Sequence, residues 1–147
     1  MKKIIYLLII LIGIIIITSG FYWLVKEQNS PGAPVETDLI KVESPRPNEM
    51  ISSPFNITGE ARGYWFFEAS FPLVLTDWDG LIIAEGYATT KDGANWMTEE
   101  FVPFKGNLTF TAPTDPVSKA GYLILRRDNP SGLPENDAAV EIPIKFK

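Results

Sequence analysis

From Ile4 to Val25 the chain runs for 22 residues without a charge, and Ile4–Ile17 is broken only by Gly13. A helix of that length spans roughly 33 Å at about 1.5 Å per residue, enough for a bilayer hydrocarbon core. Lys2 and Lys3 precede the run, whereas Lys26 and Glu27 follow it and nearly cancel. The pattern predicts a single transmembrane helix within residues 1–25, with the N-terminus in the cytoplasm and everything after Val25 outside the cell membrane. Phe21, Tyr22 and Trp23 fall where an interfacial aromatic belt belongs. The small residues Thr18-Ser19-Gly20 offer the competing reading, a cleaved signal peptide and a secreted product. The length of the apolar run favours a retained anchor whose partner is membrane lipid.

Beyond it the pattern changes twice. Residues 26–38 (KEQNSPGAPVETD) are polar, carry two prolines and a glycine, and predict an extended linker. From Leu39 short alternating runs are separated by Pro, Gly, Asn and Asp clusters, and no 3.6-residue period persists. The predicted strands are Ile40–Glu43, Phe55–Ala61, Phe67–Leu75, Leu81–Thr90, Trp96–Phe104, Asn107–Thr111, Tyr122–Arg127 and a last one around Val140–Phe146. Phe67, Ala69, Phe71, Leu73 and Leu75 are expected to point inward, and Pro72 marks an edge or bulge. Asp77-Trp78-Asp79-Gly80 predicts a hairpin turn. Tyr122–Arg127, apolar on both faces at its start, predicts a central strand. Seven or eight strands in residues 39–147, with turns at this spacing, predict an all-β, immunoglobulin-like antiparallel sandwich.

Composition removes several chemistries. The 147 residues include neither Cys nor His. Disulfides, thiolate zinc sites, iron–sulfur clusters, cysteine nucleophiles, histidine ligands and the Ser-His-Asp triad are therefore excluded. Setting aside Lys2 and Lys3 leaves 11 basic against 18 acidic residues, a charge of −7 outside, which speaks against nucleic acid as a partner. No phosphate-cradling Gly loop or Gly-x-Ser-x-Gly elbow occurs, and no catalytic residue, metal ligand or cofactor is expected.

The run Tyr64-Trp65-Phe66-Phe67-Glu68-Ala69-Ser70-Phe71, with Leu75 through Gly80 behind it, resembles the immunoglobulin-like domain associated with bacterial spore germination. Trp96-Met97-Thr98, the Gly121–Leu125 strand, the Asn129–Asp137 loop and the closing Ile142-Pro143-Ile144 fit the same pattern, as do Ile40–Pro45 and Ser53-Pro54-Phe55. The resemblance covers about Leu39 to Lys147. It implies a seven-stranded sandwich on the outer surface of a bacterial cell, an accessory module rather than an enzyme, and it supplies no catalytic residue.

The candidate binding residues are Trp65, Glu68, Trp78 and Trp96, with Tyr64 and Phe66 beside them. Exposed rings at one end of a sandwich would stack on sugars or anchor a protein interface. Trp65 and Trp96 also fit as fillers between sheets, and Trp78 sits in a polar turn. Glu68 is expected either to face a partner or to pair with Arg62, Arg126 or Arg127. Asp77 and Asp79 lack the ligand spacing of a calcium loop. The glycosylation-like triplets Asn56-Ile57-Thr58 and Asn107-Leu108-Thr109 fall in strands and predict outward polar positions. The expected function is a membrane-anchored interaction module that docks an envelope protein. Alternatives are a module for wall glycan or another carbohydrate and, remotely, a carboxylate hydrolase.

Overall fold

The computed structural model describes residues 12–22, 31–114 and 119–147. The chain divides into two compact units, residues 1–30 and residues 31–147. In the first, residues 12–22 are helical, and the Ile side chains at 12, 14, 15, 16 and 17 are exposed. Thr18 Oγ1 donates to the Ile14 carbonyl (2.9 Å) and Ser19 Oγ to that of Ile16 (3.0 Å), so both hydroxyls are satisfied by the helix itself. Among the described residues no helix is long and apolar enough to cross a membrane. The rest of the Ile4–Val25 segment, and linker residues 26–30, lie outside the described residues.

The second unit is all β. Its strands are β1 (Val35–Glu36), β2 (Ile40–Ser44), β3 (Glu49–Ile51), β4 (Phe55–Arg62), β5 (Ser70–Asp77), β6 (Ile82–Thr90), β7 (Phe101–Leu108), β8 (Ala120–Arg126) and β9 (Ala139–Phe146). They follow one hydrogen-bonded order, β1-β2-β4-β7-β6-β5-β8-β9-β3. All neighbours are antiparallel except β3 and β9, which are parallel. The described residues thus hold nine strands where seven or eight were expected. The additions are β1, inside the stretch read as linker, and β3. With two and three residues they are too short to display a period. One expected boundary is also corrected: Trp96–Phe104 and Asn107–Thr111 are not two strands. Local turns hold Trp96–Glu100 out of the sheet, with Thr98 N bonded to the Trp96 carbonyl (2.8 Å) and Met97 N to Asn95 Oδ1 (3.0 Å). The ladder then runs unbroken through β7.

The order is continuous but not evenly joined. β4 and β7 pair along eight residues, whereas β6 and β7 share only Ala88–Gly106, Thr89–Lys105 and Thr90–Phe104. Two limbs, β1-β2-β4-β7 and β6-β5-β8-β9-β3, meet at that short seam, and the sheet curls so that they face each other. Phe110 lies 5.8 Å from Phe55 of β4 and 5.4 Å from Phe146 of β9, strands far apart in the order. Phe71 of β5 likewise meets Phe104 of β7 edge-on at 5.0 Å. The space between is filled by the alternate residues that period-2 geometry turns inward: Ile40, Val42, Ile57, Leu73, Leu75, Leu123, Leu125, Ile142 and Ile144.

The expected inward set of β5 is corrected at its start. Glu68 and Ala69 take φ of 49° and 61°, and Phe67 and Ser70 exchange backbone bonds of 2.9 and 3.0 Å across them. This tight turn breaks the alternation, leaves Phe67 40% exposed, and sends Phe66 into the core against Phe71 at 5.2 Å. From Phe71 the expected inward residues Phe71, Leu73 and Leu75 are fully buried, but Val74 and Thr76 of the other face are buried as well, so this central strand is covered on both sides along its second half. Pro72 lies where β5 has β6 as neighbour but has not yet met β8, which pairs from Leu73, so its missing N–H leaves no ladder bond unmade there.

Candidate functional site

The four residues singled out in the sequence do not form one surface. β4 ends in a single 3-10 turn, Gly63–Trp65, that folds the chain back over the core. A Cβ on Gly63 would collide with the carbonyl oxygens of Thr98 and Trp96, so only glycine lets these backbones approach so closely. The turn drives Trp65 inward until it is 1% exposed, its ring edge-on to Phe71 at 6.3 Å, and Asp128 N bonds its carbonyl at 3.1 Å. Trp65 therefore presents no face to a ligand. Trp96 is partly buried against the same core.

Glu68 is exposed on its turn, and the paired arrangement expected for it is replaced by others. Arg62 donates to the carbonyls of Asp38 (Nε, 3.1 Å) and Glu99 (Nη1, 3.2 Å), stands 4.0 Å from the Glu100 carboxylate, and covers the Phe101 ring at 4.1 Å. Arg127 donates to the Tyr64 carbonyl at 3.0 Å and lies over that ring at 5.5 Å. Both guanidiniums thus act as clips across loops, and neither is in an ion pair with Glu68 among the described residues.

Trp78 lies at the other end of β5, about 24 Å along the strand at roughly 3.4 Å per residue. Asp77 Oδ1 accepts from Asp79 N (3.0 Å) and Leu81 N (2.9 Å), while Gly80 supplies a φ of 83°. The carboxylate is occupied in building the turn, with no metal required, and no group of three potential ligands gathers among the described residues. This turn leaves Trp78 52% and Leu81 66% exposed. The register adds two residues that were not anticipated. Ile82 and Tyr122 are the cross-strand partners of Thr76 on either side, so all three lie in one row on the outer face, and both flanking side chains are exposed. The visible signal was the Leu81-Ile82 pair directly after a turn, where alternation would have shown one polar residue.

A second feature lies on the outer face over the seam. A concavity of about 800 Å³ crosses β4, β7 and β6, lined by Asn56, Thr58 and Glu60, by Lys105 and Asn107, and by Tyr87, Thr89 and Lys91, with Glu43 at its far side. Register explains the gathering: Asn56 is opposite Asn107, and Thr58 is opposite Lys105, which in turn is opposite Thr89. Both asparagines lie at the outward positions expected of them. Asn107 Nδ2 donates to Asn56 Oδ1 (2.9 Å) and to the Phe55 carbonyl (3.1 Å). Lys105 stands 3.9 Å from Asp92.

Among known proteins, the model of the immunoglobulin-like domain of bacterial spore germination matches residues 39–132. That span takes in β2 through β8, the Trp78 turn and every residue lining the concavity. No curated protein and no solved structure matches the chain.

Proposed function

The chain belongs to the family of immunoglobulin-like domains of bacterial spore germination, and from that membership we propose that it is a non-catalytic docking module of the cell envelope. Residues 1–25 tether it to the membrane, and the domain outside, its two limbs acting as the layers of a sandwich, holds an envelope protein through the end of the β5–β6 hairpin. The observation that carries this reading is the set of exposed side chains at that end, Trp78 and Leu81 at the turn and Ile82 and Tyr122 in the adjoining strands. Large apolar side chains grouped at a rigid turn are the composition of a protein-binding hot spot, and a monomer rarely leaves them clustered without use. The tether is supported by the uncharged Ile4–Val25 run and by Thr18 and Ser19, whose hydroxyls are already bonded within the helix and would not be stranded in lipid. An anchored domain on a short stretch of chain reaches partners near the same bilayer most readily.

Trp78→Ala tests this, because the indole is half exposed. The domain should keep its melting transition within about 1 kcal/mol, as surface substitutions do. A photo-crosslinking residue replacing Leu81, in the full chain in membranes of cells that make it, is expected to give one discrete protein adduct. Trp78→Ala should abolish that adduct. No adduct, or one indifferent to Trp78→Ala, would remove the docking site from consideration.

A further inference from the structure

We infer that the concavity over the β4–β7–β6 seam is a binding site for an uncharged oligosaccharide chain, separate from the hairpin end and independent of the docking role proposed for it. Charge comes first. The lining holds two carboxylates, Glu43 and Glu60, and two ammonium groups, Lys91 and Lys105, and Asp92 stands 3.9 Å from Lys105; charges of both signs are interspersed, so no strong single-sign field draws in a polyanion or a polycation. Its other side chains include two amides, two threonine hydroxyls, Pro103 and the exposed Tyr87 ring, with Phe104 buried beneath, a mixture of hydrogen-bonding and apolar groups that suits a neutral ligand with both kinds of surface.

An extended peptide is disfavoured by the ladder. Peptides that lie along a sheet bind through the vacant backbone groups of an edge strand. Here the middle of the floor is paired on both sides: Thr58 with Ser44 and Lys105, and Lys105 with Thr58 and Thr89. A chain lying on this face meets side chains only, which leaves a peptide backbone without partners but serves sugar hydroxyls well.

The side chains are arranged for that purpose. Tyr87 is 62% exposed at the wall, an amphipathic ring able to stack on the C–H face of a pyranose while its hydroxyl stays wet. The Asn107–Asn56 bond fixes both amides: with Asn107 Nδ2 and Asn56 Oδ1 committed to each other, Asn107 Oδ1 remains an acceptor and Asn56 Nδ2 a donor on the same face. An adjacent donor and acceptor held in place match an acetamido group or a pair of neighbouring hydroxyls. The aromatic platform therefore lies at Tyr87, and none of the tryptophans that the sequence brought forward lines the concavity.

The test is calorimetric titration of the full chain in lipid nanodiscs with two neutral probes, the hexasaccharides of β-linked N-acetylglucosamine and of β-linked glucose. Saturable binding of either is expected, unchanged between about 50 and 500 mM salt because no charge pairing is screened. Tyr87→Ala should weaken it at least tenfold, Tyr87→Phe should retain it, and Trp78→Ala should leave it unaltered. Tyr87 is exposed enough that these variants fold. Absence of binding to both probes overturns the inference, as does binding that Tyr87→Ala does not touch. So does a strong preference for dextran sulfate that falls steeply with salt.

Discussion

Leu73→Asp is expected to leave the domain without a cooperative melting transition. Leu73 is fully buried in the middle of β5, opposite Gly86 of β6 and Leu125 of β8, and its Cδ1 reaches across the core to the space beside Gly106 of β7. A carboxylate there meets only hydrocarbon. It must either carry its charge into that environment or take up a proton, and each costs several kcal/mol, on the scale of a whole domain's stability of about 5–15 kcal/mol. The leucine's own burial is lost as well. Ile144→Asp, in β9, should do the same, because Ile144 is the inward residue of a different strand in the same limb. Thr89→Asp provides the contrast: it lies one residue from buried Ala88 but on the outer face, and should change stability by less than about 1 kcal/mol. Thermal unfolding followed by far-UV circular dichroism distinguishes the three. A native transition in Leu73→Asp would mean that the inward and outward faces of β5 had been interchanged.

Face assignment was legible in the sequence wherever one side of a long strand is buried and the other wet, as in β4 and β9, and less so in β5, where Val74 and Thr76 are buried on the face opposite Leu73 and Leu75. Val140, Ile142, Ile144 and Phe146 alternate against Glu141, Pro143, Lys145 and Lys147, and the structure turns the first set inward. The same holds for Phe55, Ile57, Gly59 and Ala61 in β4. Legibility ended where local backbone geometry overrode the period. The aromatic run Tyr64–Phe67 contains no alternation that separates core from surface. Only the Gly63–Trp65 turn and the two positive-φ residues Glu68 and Ala69 decide that Trp65 and Phe66 go in while Tyr64 and Phe67 stay out. The Asp77–Gly80 turn was readable because its chemistry is local, in one carboxylate and one glycine. The concavity was not, since it joins Asn56 to Asn107 and Lys105 to Thr89, and those neighbours exist only after the strands have paired.

Trp65→Ala is the substitution on which the core and site readings diverge most. An exposed platform residue could be truncated at little cost to stability. In the position found here the indole is enclosed between the Gly63 turn and Phe71, so truncation leaves a cavity and should cost about 3–5 kcal/mol. For a domain of this size that corresponds to a fall in Tm of roughly 15 °C. Trp65→Phe separates packing from polarity. The Trp65 Nε1–H is the one buried side-chain donor among the described residues that finds no hydrogen-bond partner. Replacing it with a hydrocarbon edge removes a group whose burial costs about 1–3 kcal/mol, which offsets much of the lost area. Trp65→Phe should therefore lie within about 2 kcal/mol of the parent chain, while Trp65→Ala falls well below it. Equal losses in both variants would show that the indole N–H contributes to stability in its own right. Near-parent stability in Trp65→Ala would mean that the ring is not enclosed at all. Neither substitution touches the Trp78 hairpin end, so crosslinking from Leu81 should persist in Trp65→Phe, and any loss there would have to travel the length of β5.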